Sequence, residues 1–357
     1  MNALMNRSDG GNAAVRLRGV DLLAGGICLL FASINLVFTG THELELAGLS
    51  FDRNASVAVL WFACLPAILL LVRAYTRRGG EPLGFIRTFY VQAMYALFFP
   101  EVIYLSQRIA GGASFDAIYY RMDAAIFGFQ PAVELPAMFG HLQWLNEVFY
   151  FAYFFYYLLI TVGQWRLYLR GRGLRGRGLR KRGNRVLLAR AERGLFVITA
   201  SFAILYVWYL VYPVHGPKYY IESLRQVWYS DLDGYLFAWL MRLLFDNANL
   251  AGAALPSSHV AVSLIAIELN RRWNRSMLPV LAPLTLLLMI STVYLYAHYV
   301  VDVFFGIAAA FVLLPVSAAL YAPVERLARR IPVGWVAAPM RLSRRRRCVR
   351  TELEPEP

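Results

Sequence analysis

Long apolar runs alternate with short polar ones along this chain, and the apolar runs exceed what a soluble core requires. Read in windows of about 20 residues, the length that crosses a bilayer as a helix, apolar segments lie near 20–40, 55–72, 85–106, 144–164, 194–213, 257–270, 277–297 and 301–322. The pattern predicts an all-α fold, a polytopic membrane bundle of about eight transmembrane helices. Hydropathy alone supports two of them least: the third carries Arg87, Gln92 and Glu101, and the sixth is short.

The placement of positive charge supplies independent support, because short cytoplasmic loops retain Lys and Arg. With a cytoplasmic N-terminus, the inside segments 1–19, 73–87, 165–193, 271–276 and 323–357 hold 30 of the 36 Lys and Arg residues. The outside loops hold Arg53, Arg108, Arg121, Lys218, Arg225 and Arg242. Dropping any one span scrambles this alternation. The net charge of +14, on a chain 59% apolar and 16% charged, is therefore a topology signal, and no nucleic-acid partner is expected. The stretches "RGRGLRGRGLRKRGNR" (170–185) and "RRRR" (344–347) read as orientation determinants and contacts to anionic lipid headgroups. Cys28 and Cys64 fall in spans and Cys348 in the tail, so no disulfide is expected. The first segment lacks a small-residue cleavage site and reads as a retained span.

Three polar stretches depart from the apolar background, and the topology puts all of them on the outer face: "YPVHGPKYYIESLRQ" (212–226), "LPSSHVA" (255–261) and "STVYLYAHYVVDVFFG" (291–306). Pro256 suits the first turn of a helix, and Ser257 and Ser258 then sit among the free N–H groups at its positive end, an anion-binding geometry. His259 lies within proton-transfer reach of a bound anion. His298 and Asp302 are four residues apart and share a face if helical; a carboxylate so placed fixes an imidazole tautomer and stabilises its cation. Lys218 and Arg225 are seven apart and supply two cations. This inventory suits phosphoryl transfer with neither metal nor cofactor. His42, His141 and His215 read as interfacial side chains.

At these residues the chain resembles the type 2 phosphatidic acid phosphatase superfamily, which also holds haloperoxidases and lipid phosphotransferases. Lys218 and Arg225 keep the spacing of the family's first motif, with Gln226 where proline is expected. Pro256, Ser257 and His259 match the second, with Ser258 in place of glycine. Ser291, His298 and Asp302 match the third, with Thr292 in place of an arginine that clamps a phosphate oxygen. Three stretches, "STVYLYAHYVVDVFFG", "YPVHGPKYY" and "RMDAAIFGFQP", look more like the inositol phosphorylceramide synthase branch and its bacterial relatives, which commonly lack that arginine.

The resemblance implies a six-helix core over 85–322 containing the basic loop 165–193. The N-terminal segment 1–84, with two extra helices, and the basic tail 323–357 lie outside it. It implies a bacterial inner-membrane enzyme, both termini cytoplasmic and the active site extracytoplasmic, acting on a lipid phosphate or phospholipid. His298 would attack phosphorus, oriented by Asp302, and His259 would shuttle the proton. Ser257, Ser258, Lys218 and Arg225 would hold the phosphate. The same residues serve a water acceptor, making a phosphatase, or an alcohol acceptor, making an inositolphosphotransferase-like enzyme. A lipid transporter or binding protein that performs no chemistry is the alternative from another class. Haloperoxidase chemistry is disfavoured without the arginine at 292. The run "GYLFAWLMRLLF" (234–245) reads either as an interfacial helix guiding a lipid tail or as an amphipathic connector.

Overall fold

The computed structural model describes residues 16–46, 49–173, 181–225, 232–246 and 251–331. Helix α1 (Gly19–Val37) leads into a hairpin of β1 (Glu43–Leu46) and β2 (Leu49–Asp52), then α2 (Arg53–Arg78), α3 (Glu81–Ala110), α4 (Asp116–Phe127) and α5 (Pro131–Phe139). Next come α6 (Gln143–Phe154), α7 (Tyr156–Gly171), α8 (Lys181–Val211), α9 (Pro217–Tyr220), α10 (Glu222–Arg225) and α11 (Leu236–Asp246). The chain closes with α12 (Ser258–Trp273), α13 (Leu278–Tyr294) and α14 (Val300–Arg330).

Among the described residues, five helical stretches are long and apolar enough to cross a membrane: Gly19–Val37, Arg53–Arg77, Gly183–Val211, Arg275–Tyr294 and Val300–Arg330. The chain is an integral membrane protein of helical architecture. The fourth predicted segment is broken into α6 and α7, which meet at a bend of 46° and count as a sixth span only if taken together. The break falls inside the aromatic run "FYFAYFFYY" (149–157), whose rings lose rotamer freedom in a continuous helix. The two remaining predicted segments are α3, which is long but charged, and α12, which has 16 residues. The helices also reach into the predicted basic loop 165–193: α7 runs to Gly171 and α8 starts at Lys181. The small antiparallel hairpin, Glu43 opposite Asp52 and Leu46 opposite Leu49, is a departure from the all-helix expectation.

The charges that weakened the third segment are matched by partners far away in sequence. Arg87 forms a two-pronged ion pair with Asp21 of α1, both buried. Near the other end of α3, Glu101 binds Arg53 of α2 at 2.9 Å and accepts from Asn35 of α1 at 2.6 Å. Midway, Gln92 accepts from the Trp165 indole at 2.7 Å. A charged group inside a bilayer is costly unless paired, and here both ends of α3 are paired. Helix α1 also packs on α8 and α14, where Arg18 lies 3.5 Å from Glu192 and the Gly19 amide donates to Glu325 at 2.7 Å. Helix α12 sits among α7, α8, α13 and α14, so its N-terminus opens at one end of the bundle's centre.

Candidate active site

Ser257 caps α12: its backbone is extended (φ −59, ψ 111) and its hydroxyl accepts from the Val260 amide at 3.4 Å, the usual role of serine at this position. Pro256 therefore precedes the cap and does not occupy the first helical turn as the sequence suggested. Ser258 is the first helical residue and His259 the second; all three of Ser257, Ser258 and His259 are buried.

His298 is not helical either, since α14 begins at Val300. Its segment folds back on the end of α13, with the Ala297 and His298 amides both donating to the Thr292 carbonyl at 3.0 Å. Thr292, standing where the resemblance expects arginine, is itself buried and its hydroxyl donates to the Met289 carbonyl at 2.7 Å. Asp302 sits in the first turn of α14, and its Oδ2 accepts the Tyr299 amide at 3.0 Å, half of a capping box. That same oxygen stands 3.4 Å from His298 Nδ1. The pairing inferred from a shared helical face thus arises from a loop residue meeting a capping residue.

The two helix ends bring the remaining groups together. His298 Nε2 lies 3.2 Å from Ser257 Oγ and 3.4 Å from His259 Nδ1. Because α12 and α14 meet backbone to backbone, the Ser257 amide donates to the Asp302 carbonyl at 3.2 Å. Gly306 permits that approach: a Cβ there would lie 2.8 Å from the Ser257 carbonyl oxygen and 2.9 Å from Val260 Cβ. His259 is held between the rings of Tyr153 and Tyr156, at centroid distances of 4.7 and 4.5 Å. These tyrosines flank the α6–α7 bend, so the broken span is also what boxes His259.

Lys218 belongs to the same end but not to the same cluster of contacts. Its amide donates to the Tyr296 carbonyl at 3.1 Å, and its ammonium donates to the Leu224 carbonyl at 3.0 Å. Burial pushes the Lys218 ammonium down to about 8. Gly216, at φ +90, lets this segment lie under the His298 loop, since a Cβ would come within 2.6 Å of the Ala297 oxygen. The one-face reading of Lys218 and Arg225 does not hold, because α9 and α10 are separate short turns broken at Ile221. The side chain of Arg225 lies outside the described residues.

Sequence reasoning missed two carboxylates on α4. Asp116 accepts the His215 and Gly216 amides at 2.7 and 2.8 Å and the Tyr299 hydroxyl at 3.2 Å. Asp123, inside the quoted "RMDAAIFGFQP", accepts the Val300 and Val301 amides at 2.9 and 3.0 Å and so caps α14 from outside. Both are fully buried. Their seven-residue spacing, one face of a helix, was the available signal. Burial raises the Asp123 carboxyl, opposed by the two amides it accepts.

Together these contacts give an imidazole with a buried carboxylate at one nitrogen and, at the other, a hydroxyl and a second imidazole. An imidazole flanked in this way has the arrangement that a nucleophile with an orienting acid and an adjacent proton carrier would need. Residues 184–316 match a family model described as the PAP2 superfamily. The matched stretch runs from α8 into α14 and contains Lys218, Ser257, Ser258, His259, His298 and Asp302. No curated protein and no solved structure matches the chain.

Proposed function

We propose that this protein is a membrane phosphotransferase of the PAP2 type, acting on a lipid phosphate ester or phosphodiester through a phosphohistidine. The observation that carries the reading is the double engagement of His298: Nδ1 toward Asp302, Nε2 toward Ser257 and His259. With the Nδ1 proton directed at Asp302, Nε2 holds the lone pair. It attacks phosphorus as the bond to the departing oxygen breaks, and His259 gives that oxygen its proton. His259 then takes the proton of the acceptor hydroxyl, which attacks the same phosphorus, and the N–P bond breaks. Such proton transfer commonly contributes about 10²- to 10⁴-fold. Ser257, Ser258 and the amides of the α12 N-terminus, with Lys218 and Arg225, carry the charge on the equatorial oxygens.

His298, His259, Ser257 and Asp302 are all buried, and shielding the intermediate from bulk water favours an alcohol acceptor over hydrolysis. This supports the inositol phosphorylceramide synthase-like branch, as do the quoted outer-face stretches and the absence of arginine at 292. The eight-span topology, with the site extracytoplasmic, belongs to the same reading. The test is turnover by purified full-length protein on a panel of lipid phosphates and phosphodiesters, in chelator, with and without a lipid alcohol, wild type beside His298→Asn. Headgroup transfer that needs the alcohol and is lost in His298→Asn supports a transferase. Phosphate release without it makes the protein a phosphatase, and inactivity in both assays leaves the transporter reading.

A further inference from the structure

At the opposite end of α12 the bundle is open. A cavity of about 150 Å³ lies where α8, α12 and α14 diverge, a volume comparable with buried apolar cavities that take a benzene-sized guest. Each helix lends it two residues about one turn apart: Arg193 and Val197 of α8, Leu269 and Trp273 of α12, Leu314 and Ala318 of α14. Arg272, also from the last turn of α12, completes the rim. The walls are apolar and the mouth is cationic.

The mouth is also incompletely neutralised. Glu268 is the acid beside it, and it is shared: Arg271 Nε and Arg272 Nε approach it at 2.5 and 2.6 Å. Arg193 is exposed and forms no hydrogen bond or ion pair among the described residues; its guanidinium lies over the Tyr321 ring at 5.8 Å to the centroid. Trp273 leans across Gly194, whose missing side chain leaves the space, with the nearest ring carbon 3.3 Å from a Cβ placed there. Tryptophan beside arginine is the composition of a membrane–water boundary, and basic clefts between spanning helices suit anionic lipid headgroups.

We propose that this cleft binds an anionic phospholipid from the leaflet opposite the candidate active site. The phosphate is held between Arg193 and Arg272, and the first methylenes of one chain enter between Val197, Leu269 and Leu314. The site is separate from the phosphoryl-transfer site, since α12 is about 24 Å long at 1.5 Å per residue and the two lie at its two ends. It does not depend on the proposed reaction.

The experiment is thermal unfolding of the full-length protein in detergent, titrated with phosphatidylglycerol, with phosphatidylcholine of the same chains, and with inorganic phosphate. Phosphatidylglycerol is expected to raise the melting temperature saturably and phosphatidylcholine only weakly. The R193Q/R272Q variant is expected to need about 30-fold more phosphatidylglycerol for half the shift, the effect of two headgroup cations. A318F, which fills the cavity and keeps both arginines, is expected to lose the saturable shift as well. Equal responses to the two lipids, or an unchanged titration in R193Q/R272Q, would overturn the proposal. So would inorganic phosphate reproducing the shift, which makes the feature an anion site without a chain, or A318F leaving the titration intact.

Discussion

Two groups of buried polar side chains share this apolar bundle, and they are built differently. The pairs along α3, Arg87 with Asp21 and Glu101 with Arg53 and Asn35, are closely matched, the latter contacts at 2.6–2.9 Å. Around His298 the contacts stretch to 3.2–3.4 Å, and among the described residues Asp302 Oδ1 and His298 Nδ1 have no hydrogen-bond partner. A buried pair that exists to hold helices together must satisfy its atoms, because each orphan costs about 1–3 kcal/mol. A site that must exchange protons leaves contacts to be completed, and catalytic hydrogen bonds commonly tighten only once substrate is bound. Closeness of pairing thus distinguishes the charged pairs of α3 from the candidate site, although Gln92 on α3 also leaves its Nε2 without a partner among the described residues.

The sharpest break of that contrast is substitution inside the chemical group. Asp302→Asn is expected to lower kcat by about 10²- to 10⁴-fold, as removal of an orienting carboxylate does elsewhere, with little change in melting temperature. His298→Asn is expected to lower it at least as far. Vanadate, a mimic of pentacoordinate phosphorus, is expected to inhibit the wild type, which an inhibition titration of the transfer assay checks. The converse experiment is Arg87→Met, which removes the buried counter-charge of Asp21 and leaves it only the Arg18 amide and the Tyr90 hydroxyl; it is expected to destabilise by about 3–5 kcal/mol. The double variant Asp21→Leu/Arg87→Met is expected to recover most of that loss, and neither should change turnover per folded molecule. Equilibrium unfolding beside an activity assay reads both.

Smaller effects sharpen the boundary between the groups. Lys218 has a folded value near 8, below its ordinary 10.5, so it is charged below pH 8 and neutral above. If it holds phosphate, KM is expected to rise about tenfold per pH unit above 8, and Lys218→Arg to keep KM flat there. The sign for stability is opposite: between about pH 8 and 10.5 the unfolded chain binds more protons than the folded one, so this residue makes stability rise with pH. The smallest effect belongs to Asp123, where Asp123→Ala is expected to remove about 0.5–2 kcal/mol of helix capping and to lower kcat through displacement of Asp302, while Asp123→Asn retains part of both.

Much of the site was legible because its chemistry is local. "PSSH" and the His298–Asp302 pair each lie within a few residues, and the structure brings Ser257, His259, His298 and Asp302 within 3.2–3.4 Å of one another through His298. What escaped depends on partners distant in sequence. Nothing near Arg87 or Glu101 announces Asp21 or Arg53, 66 and 48 residues away, so a well-paired helix read as an uncertain span. For Asp116 and Asp123 the sequence offered only their seven-residue spacing; it could not announce their partners, backbone amides about 100 and 177 residues on. The α6–α7 bend was invisible to a hydropathy window, which averages over a change of direction. The Lys218–Arg225 inference failed because regular spacing was taken for a continuous helix, where the chain instead makes two short turns.

The fastening of α3 also bears on how the protein can move. Arg87 and Glu101 are 14 residues apart, about 21 Å along the axis, and each is tied to α1 or to its neighbour α2. A helix pinned at one end can piston against its partner; pinned at both, it slides only by dragging two charges off their counterparts. The contacts thus fasten the first three long helices to one another at both ends of α3, whereas the α6–α7 segment beside His259 meets at an angle and carries no such double fastening among the contacts described above.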